Sequence, residues 1–224
     1  MKGLTEEHLA VLRRHMVDVI AIHAELTSDE IGKAALDPRV IEAMREVPRH
    51  KFVLAPLAQL AYEDSPLPIG FDKTVSQPFI VALMTDLLEV GPEDGVLDVG
   101  TGLGYQAAIL SRLARQVWTV EIVEEFAAEA EVRLRRLGYA NVALRTGDGS
   151  RGWAEHAPFD RILVAAAAEE PPRALLDQLE PGGRLVMPVG STESQTLAVF
   201  DKSPAGQVAR RDVLPVRFGQ LETI

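Results

Sequence analysis

The chain has 224 residues, 47% of them hydrophobic, which is enough to close a substantial core. Acidic residues (33) outnumber Lys and Arg (23), for a formal charge of −10, and no basic block compensates; this argues against nucleic-acid binding through phosphate neutralisation. There is no cysteine, so disulfides, thiolate catalysis and Cys-ligated metals are excluded.

Leu9, Leu12, Met16, Val19 and Ile20 recur at three- and four-residue steps and predict a helix over 5–24. The opening MKGLTEEHL carries early acids and no apolar signal core, and no apolar stretch is long enough to span a membrane. The expectation is a cytoplasmic protein without membrane contact. Thr27-Ser28-Asp29-Glu30 fits a capping box for a short helix. Asp37-Pro38 opens another, with Asp37 as N-cap and Val40, Ala43, Met44 and Val47 on the inner face. Residues 48–80 are rich in proline and glycine and read as an ordered loop, of a length usually kept for function. A helix follows over 79–89. The predicted division is N-terminal helices and a substrate-side loop over 1–90, packed on a core over 91–224.

From 95 onward strands and helices alternate. Strands are predicted at 95–99, 117–121, 141–145, 159–164 and 183–188, and helices at 104–114, 123–137 and 171–179, the second closed by Gly138. This rhythm gives right-handed crossovers and a mostly parallel sheet. Segments 195–201 and 211–218, joined by the turn-rich 202–206, read as an antiparallel hairpin on the sheet edge.

The most informative stretch is Val96-Leu97-Asp98-Val99-Gly100-Thr101-Gly102-Leu103-Gly104. A buried strand passes through a glycine turn into a helix N-terminus, the place where open α/β sheets hold adenosine-containing cofactors. The spacing is Gly-x-Gly-x-Gly, whereas a nicotinamide fingerprint reads Gly-x-Gly-x-x-Gly. Asp98 disfavours a pyrophosphate and favours a cationic ligand. S-adenosylmethionine carries a sulfonium and an ammonium and has no phosphate. Glu121 closes the next strand, where an acid takes ribose hydroxyls. Asp148, between Gly147 and Gly149 after the third strand, is placed to accept from an adenine amino group. Taken singly, Glu121 also reads as a helix cap and Asp148 as turn chemistry. His8, His15, His23, His50 and His156 form no ligand-spaced cluster, and no metal is expected.

Several stretches resemble the protein-L-isoaspartate (D-aspartate) O-methyltransferase family: 37–40 with 47–53, Tyr62 to Gly70, Thr74-Val75-Ser76-Gln77-Pro78-Phe79, 96–106, Gly147-Asp148-Gly149, 157–160 and 182–190. The glycine loop is common to many methyltransferases; Pro-Leu-Pro-Ile-Gly and Thr-Val-Ser-Gln-Pro are far more specific. The resemblance implies an α/β fold of the Rossmann-like class I S-adenosylmethionine-dependent methyltransferase type. This is a three-layer sandwich with a seven-stranded, mostly parallel sheet and a reversed last strand.

It also implies the cofactor S-adenosyl-L-methionine, giving S-adenosyl-L-homocysteine, held by Asp98, Gly100, Thr101, Gly102, Gly104, Glu121, Asp148 and Gly149. Ser76 would be the active-site hydroxyl with Thr74 beside it, although local sequence also allows Ser76 to cap the following helix. Substrate would meet Pro68, Ile69 and Gly70, and Ala166 and Ala167 after the fourth strand, with Val216-Arg217-Phe218 bordering the groove. The implied partners are isoaspartyl peptides and damaged proteins; a monomer is expected because the sequence carries no obvious assembly motif. The alternatives are a relative that esterifies normal aspartate in a dedicated partner, and a non-catalytic cofactor binder. The chain departs from the family pattern at Lys73, where Gln is usual, at Ala165, where Thr or Gly is common, and at Gly219-Gln220-Leu221, where Val-Pro-Leu is common.

Overall fold

A computed structural model describes residues 5–224. Helix α1 (Glu6–Leu26) begins at a capping box made by Thr5 and His8. α2 (Ser28–Ile31) lacks the predicted box: Thr27 turns its hydroxyl back to donate to the carbonyl of His23, so α1 ends there and Glu30 has no cap to complete. α3 (Pro38–Glu46) is capped by Asp37, as its sequence predicts.

The proline-rich stretch is ordered, as expected, and also contains regular structure that was not expected, a β-hairpin. It holds two short 3-10 turns, at 49–51 and 55–57, and a hairpin of β1 (Leu67–Gly70) and β2 (Lys73–Val75). Leu67 and Ile69 are buried and Pro68 and Gly70 exposed, the period of two that four residues were too few to advertise. Phe71 and Asp72 make the turn at positive φ (48° and 55°), where Asn-Gly would be the recognisable signal.

Next come α4 (Pro78–Leu88), β3 (Gly95–Val99), α5 (Tyr105–Ser111), β4 (Gln116–Glu121), α6 (Glu124–Arg136) and β5 (Val142–Thr146). The chain continues through β6 (Phe159–Val164), α7 (Arg173–Gln178), β7 (Leu179–Gly190), β8 (Gln195–Lys202) and β9 (Val208–Val216). α7 starts late because Pro171 and Pro172 precede it, and β7 starts early through an irregular register opposite Phe159–Arg161. The seven-stranded sheet runs β5-β4-β3-β6-β7-β8-β9. β3 to β7 are parallel, and β8 is antiparallel to both its neighbours. The reversed strand is therefore the penultimate one, not the last: two tight connections flip the chain twice, so the edge strand β9 points with the parallel set.

Residues alternate across the sheet into two cores. Val96, Val117, Leu163, Val186 and Leu197 face α1, α3, α4 and α5. Leu97, Val99, Val120, Ile162, Leu185 and Met187 face α7 and the 3-10 turns at 149–151 and 154–156. A small third cluster of Ile69, Leu103 and Phe126 ties the hairpin to the glycine loop and α6.

Asp98 breaks the apolar run of β3. It is fully buried opposite Thr119 of β4, whose hydroxyl donates to Oδ2 at 2.8 Å, and Thr119 in turn bonds Thr101 at 2.6 Å. Oδ1 has no partner among the described residues. Burial, with the nearby Glu121 charge adding to it, pushes the Asp98 carboxyl up to about 7. A carboxyl raised above its unfolded value of about 3.9 takes up a proton on folding, so its effect on stability worsens as pH climbs from about 4 to about 7 and then levels. Asp98→Asn is expected to gain on wild type by on the order of a few kcal/mol between pH 4 and pH 8 in denaturant unfolding. A constant difference between the two proteins would show that the carboxyl titrates normally.

Candidate active site

The strand order changes direction between β3 and β6, which opens a crevice at their C-terminal ends. There a cavity of about 590 Å³ lies between the sheet, the β1–β2 hairpin and the C-terminal tail. That size suits a small-molecule ligand together with part of a second one.

One wall is the glycine loop. Gly100 (φ 95°) and Gly102 (φ 54°) adopt the left-handed conformation that side chains resist. A Cβ on Gly100 would stand 3.5 Å from that of Ala165, so the small residue after β6 and the glycine after β3 fit one another. Glu121, at the end of β4, is 6% exposed and accepts two backbone hydrogen bonds, from Gly102 N–H at 2.7 Å and from Val123 N–H at 2.9 Å. It thus holds the glycine loop and the start of α6 while still lining the cavity. Gly149 completes this side; a Cβ there would collide with Val99 at 2.4 Å. Among the described residues no Lys or Arg lines the glycine-loop side, whereas Val99, Val120, Ile122 and Phe126 do. An acid at the ribose position, a close backbone cradle and no phosphate-binding cation fit S-adenosylmethionine and disfavour a dinucleotide.

The facing wall comes from the stretch read as loop. Thr74, Ser76 and Gln77 line it, with Ile69 from the hairpin. Ser76 is not the cap of α4. The N-cap is Gln77, which makes no side-chain cap bond, and Asp64 Oδ1 accepts the Phe79 N–H instead at 2.8 Å. The alternative local use of the Ser76 hydroxyl is thereby taken by another residue.

Of the remaining predicted residues, Ala166 lines the cavity, while Asp98, Thr101, Gly104, Asp148, Pro68, Gly70 and Ala167 stand off its wall. Asp98 and Thr101 support the loop from beneath, through Thr119. Gly104 packs against Leu134 of α6. Asp148 accepts from Ser150 N–H and Oγ–H and from Ile224 N–H. Burial works against its ionisation, but these bonds and Arg151 outweigh burial and hold its carboxyl below the usual range. Pro68 and Gly70 lie on the exposed side of the hairpin. Ala167 bonds the tail, donating to Gly219 O at 2.8 Å and accepting from Leu221 N–H at 2.7 Å.

Val216, Arg217 and Phe218 line the cavity, as the resemblance implied, and the lining continues further along the tail than expected. Residues 217–222 line the cavity, and Lys73 pairs with Glu222 across it. Two departures from the family pattern, Lys73 and the altered tail, therefore meet each other. Among the described residues no group of three or more His, Asp or Glu is arranged to hold a metal ion.

Comparison with known proteins agrees with this geometry. The family model for protein-L-isoaspartate(D-aspartate) O-methyltransferase (PCMT) matches residues 22–223. The chain is 53% identical over 219 residues to protein-L-isoaspartate O-methyltransferase 1 of Polaromonas sp. (strain JS666), covering 98% of this chain and 93% of that one. It is 54% identical over 217 residues to protein-L-isoaspartate O-methyltransferase 2 of Syntrophobacter fumaroxidans, covering 96% and 88%. Among solved structures, a protein-L-isoaspartate O-methyltransferase superposes with a TM-score of 0.80 at 28% identity, over 93% of this chain and 65% of that longer one. A Plasmodium falciparum structure in complex with S-adenosyl-L-homocysteine has the same fold, with a TM-score of 0.72 at 24% identity over 83% and 91% of the two chains. With the family model matched over nearly the whole described chain and relatives above half identity, the protein belongs to the protein-L-isoaspartate(D-aspartate) O-methyltransferase family.

Proposed function

We propose that the chain esterifies the free α-carboxylate of L-isoaspartyl residues in damaged proteins and peptides, using S-adenosylmethionine, and so begins their return to aspartate through a succinimide. The observation that carries the reading is one cavity walled on one side by the Gly100–Gly102 loop with Glu121 and on the other by Thr74 and Ser76. When bound, S-adenosylmethionine supplies a methyl carbon made electrophilic by its sulfonium.

The protein's task is then positional. A substrate carboxylate is already ionised at neutral pH, so no strong general base is required. Ser76 can donate its hydroxyl to one carboxylate oxygen and leave the other free to attack. Holding the reacting atoms in line supplies the acceleration. Glu121 orients the cofactor's ribose with the acceptor capacity left on its two oxygens. The Lys73–Glu222 pair and the apolar tail residues Phe218 and Leu221 wall the cavity against water. The methyl ester of the product lets the next backbone amide nitrogen attack the ester carbonyl and close a succinimide, losing its proton and expelling methanol, without further help from the protein.

Three measurements test this. Labelled S-adenosylmethionine with paired peptides differing only in isoAsp and Asp should leave base-labile label on the isoAsp peptide alone. Label on both, or on Asp alone, would move the protein to a different carboxylate substrate. Ser76→Ala should lower kcat about 10- to 100-fold, the loss of one well-placed donor, with cofactor affinity unchanged. Equal losses in both would make Ser76 scaffold. Glu121→Ala should weaken S-adenosylmethionine binding about 10- to 100-fold in calorimetry, the range for a charge-assisted hydrogen bond; unchanged affinity would remove Glu121 from the cofactor site.

A further inference from the structure

Asp64 stands off the cavity wall, yet three segments converge on its carboxylate, whose side chain is 8% exposed. Oδ1 accepts the Phe79 N–H at 2.8 Å. Oδ2 accepts Gln77 Nε2–H at 2.8 Å and meets His23 Nδ1 of α1 at 2.7 Å. The His23 ring also packs edge-on against Phe79, with centroids 5.3 Å apart. The buried guanidinium of Arg49 is near enough for its charge and that of Asp64 to act on each other.

These partners share one location. Ser76 and Gln77 form the whole joint between β2, which ends at Val75, and α4, which begins at Pro78. Phe79 N–H is one of the donors that a helix start leaves without an internal partner. Pro78 has no N–H, and Gln77 makes no cap bond of its own. Beyond the helix's own Val81 N–H bond to the Gln77 carbonyl, the Asp64 carboxylate reaches the residues on both sides of Pro78, and it is itself held by α1. A displacement of about 1 Å at a positioned group can cost on the order of 100-fold in rate.

We propose that Asp64 is a positioning residue for Ser76: with His23 behind it, it locks the joint that carries the hydroxyl to the substrate. This rests on the assignment of Ser76 made above. A plain helix cap would contribute stability alone, and the two roles separate experimentally.

The test uses the full chain as wild type, Asp64→Ala, Asp64→Asn and, as a control, Asp37→Ala. The control removes a carboxylate cap of the same kind at the start of α3, away from the cavity. For Asp64→Ala the expected result is a kcat about 10- to 100-fold lower on an isoaspartyl peptide, with cofactor affinity within about twofold and faster hydrogen exchange at the Phe79 amide. Asp64→Asn keeps an acceptor for Phe79 N–H and, with the Gln77 amide turned over, a partner for Gln77; it should recover to within about threefold of wild type. Asp37→Ala should lose thermal stability and keep its kcat.

If Asp64→Ala does not fold, Asp64→Glu keeps the charge but moves the carboxylate by one methylene, and the same fall in kcat is expected. Asp64→Ala with wild-type kcat and a lower Tm overturns the proposal in favour of a cap. Equal inactivity of the Ala and Asn variants overturns it too, since the charge itself would then be needed. Failure of the wild type to methylate the isoaspartyl peptide would instead sink the functional reading, and the exchange rate at Phe79 would still decide whether Asp64 fixes the joint.

Discussion

Where β3 ends, the backbone must leave the sheet without filling the crevice beside β6. Gly100 and Gly102 achieve this at positive φ, and Glu121 of the neighbouring strand pins the turn by accepting the Gly102 N–H at 2.7 Å. An exposed carboxylate would hold such a bond weakly; one only 6% exposed holds it in a low-dielectric setting where it is worth more. The same carboxylate carries the entry to α6 through Val123 N–H. Cofactor loop, second strand and following helix thus share one anchor, and a change there would be felt by all three.

The opposite wall is built by different means. It has no glycine turn and no parallel strand, only a short hairpin, a two-residue joint and a helix start. Its order comes from side chains reaching in from elsewhere: Asp64 at the head of α4, and Ile69 packed with Leu103 and Phe126 over the glycine loop. The cofactor side is a product of sheet topology, and the substrate side depends on tertiary contacts between the N-terminal elements and that sheet.

This division decides what the sequence discloses. The strands 95–99 and 159–164 and the helix at 38 are written in local signals: apolar runs, a glycine turn, an Asp-Pro start. The crossover rhythm gives the parallel sheet. Less legible were features whose determinants lie far apart in the chain. The β1–β2 hairpin has four residues a side at most and turns on Phe71-Asp72, a pair that carries no hairpin signal. Thr27 looked like a cap but spends its hydroxyl on the preceding helix. Asp148 was legible as an acid in a glycine turn, but its bond to Ile224, 76 residues on, was not. The hairpin at the sheet edge was legible, but which of its arms opposes the parallel set is not written locally, and the last strand that the resemblance implied as reversed is in fact β9, which runs with the parallel set.

Ile224 donates its N–H to Asp148 and receives Arg151 on its carbonyl, next to Gly149 on the cavity wall. Leu221 and Glu222, just before it, line the ligand chamber, so this anchor holds the tail that forms part of the chamber wall. A substitution at Asp148 or Arg151, though neither lines the chamber, would loosen that wall from behind.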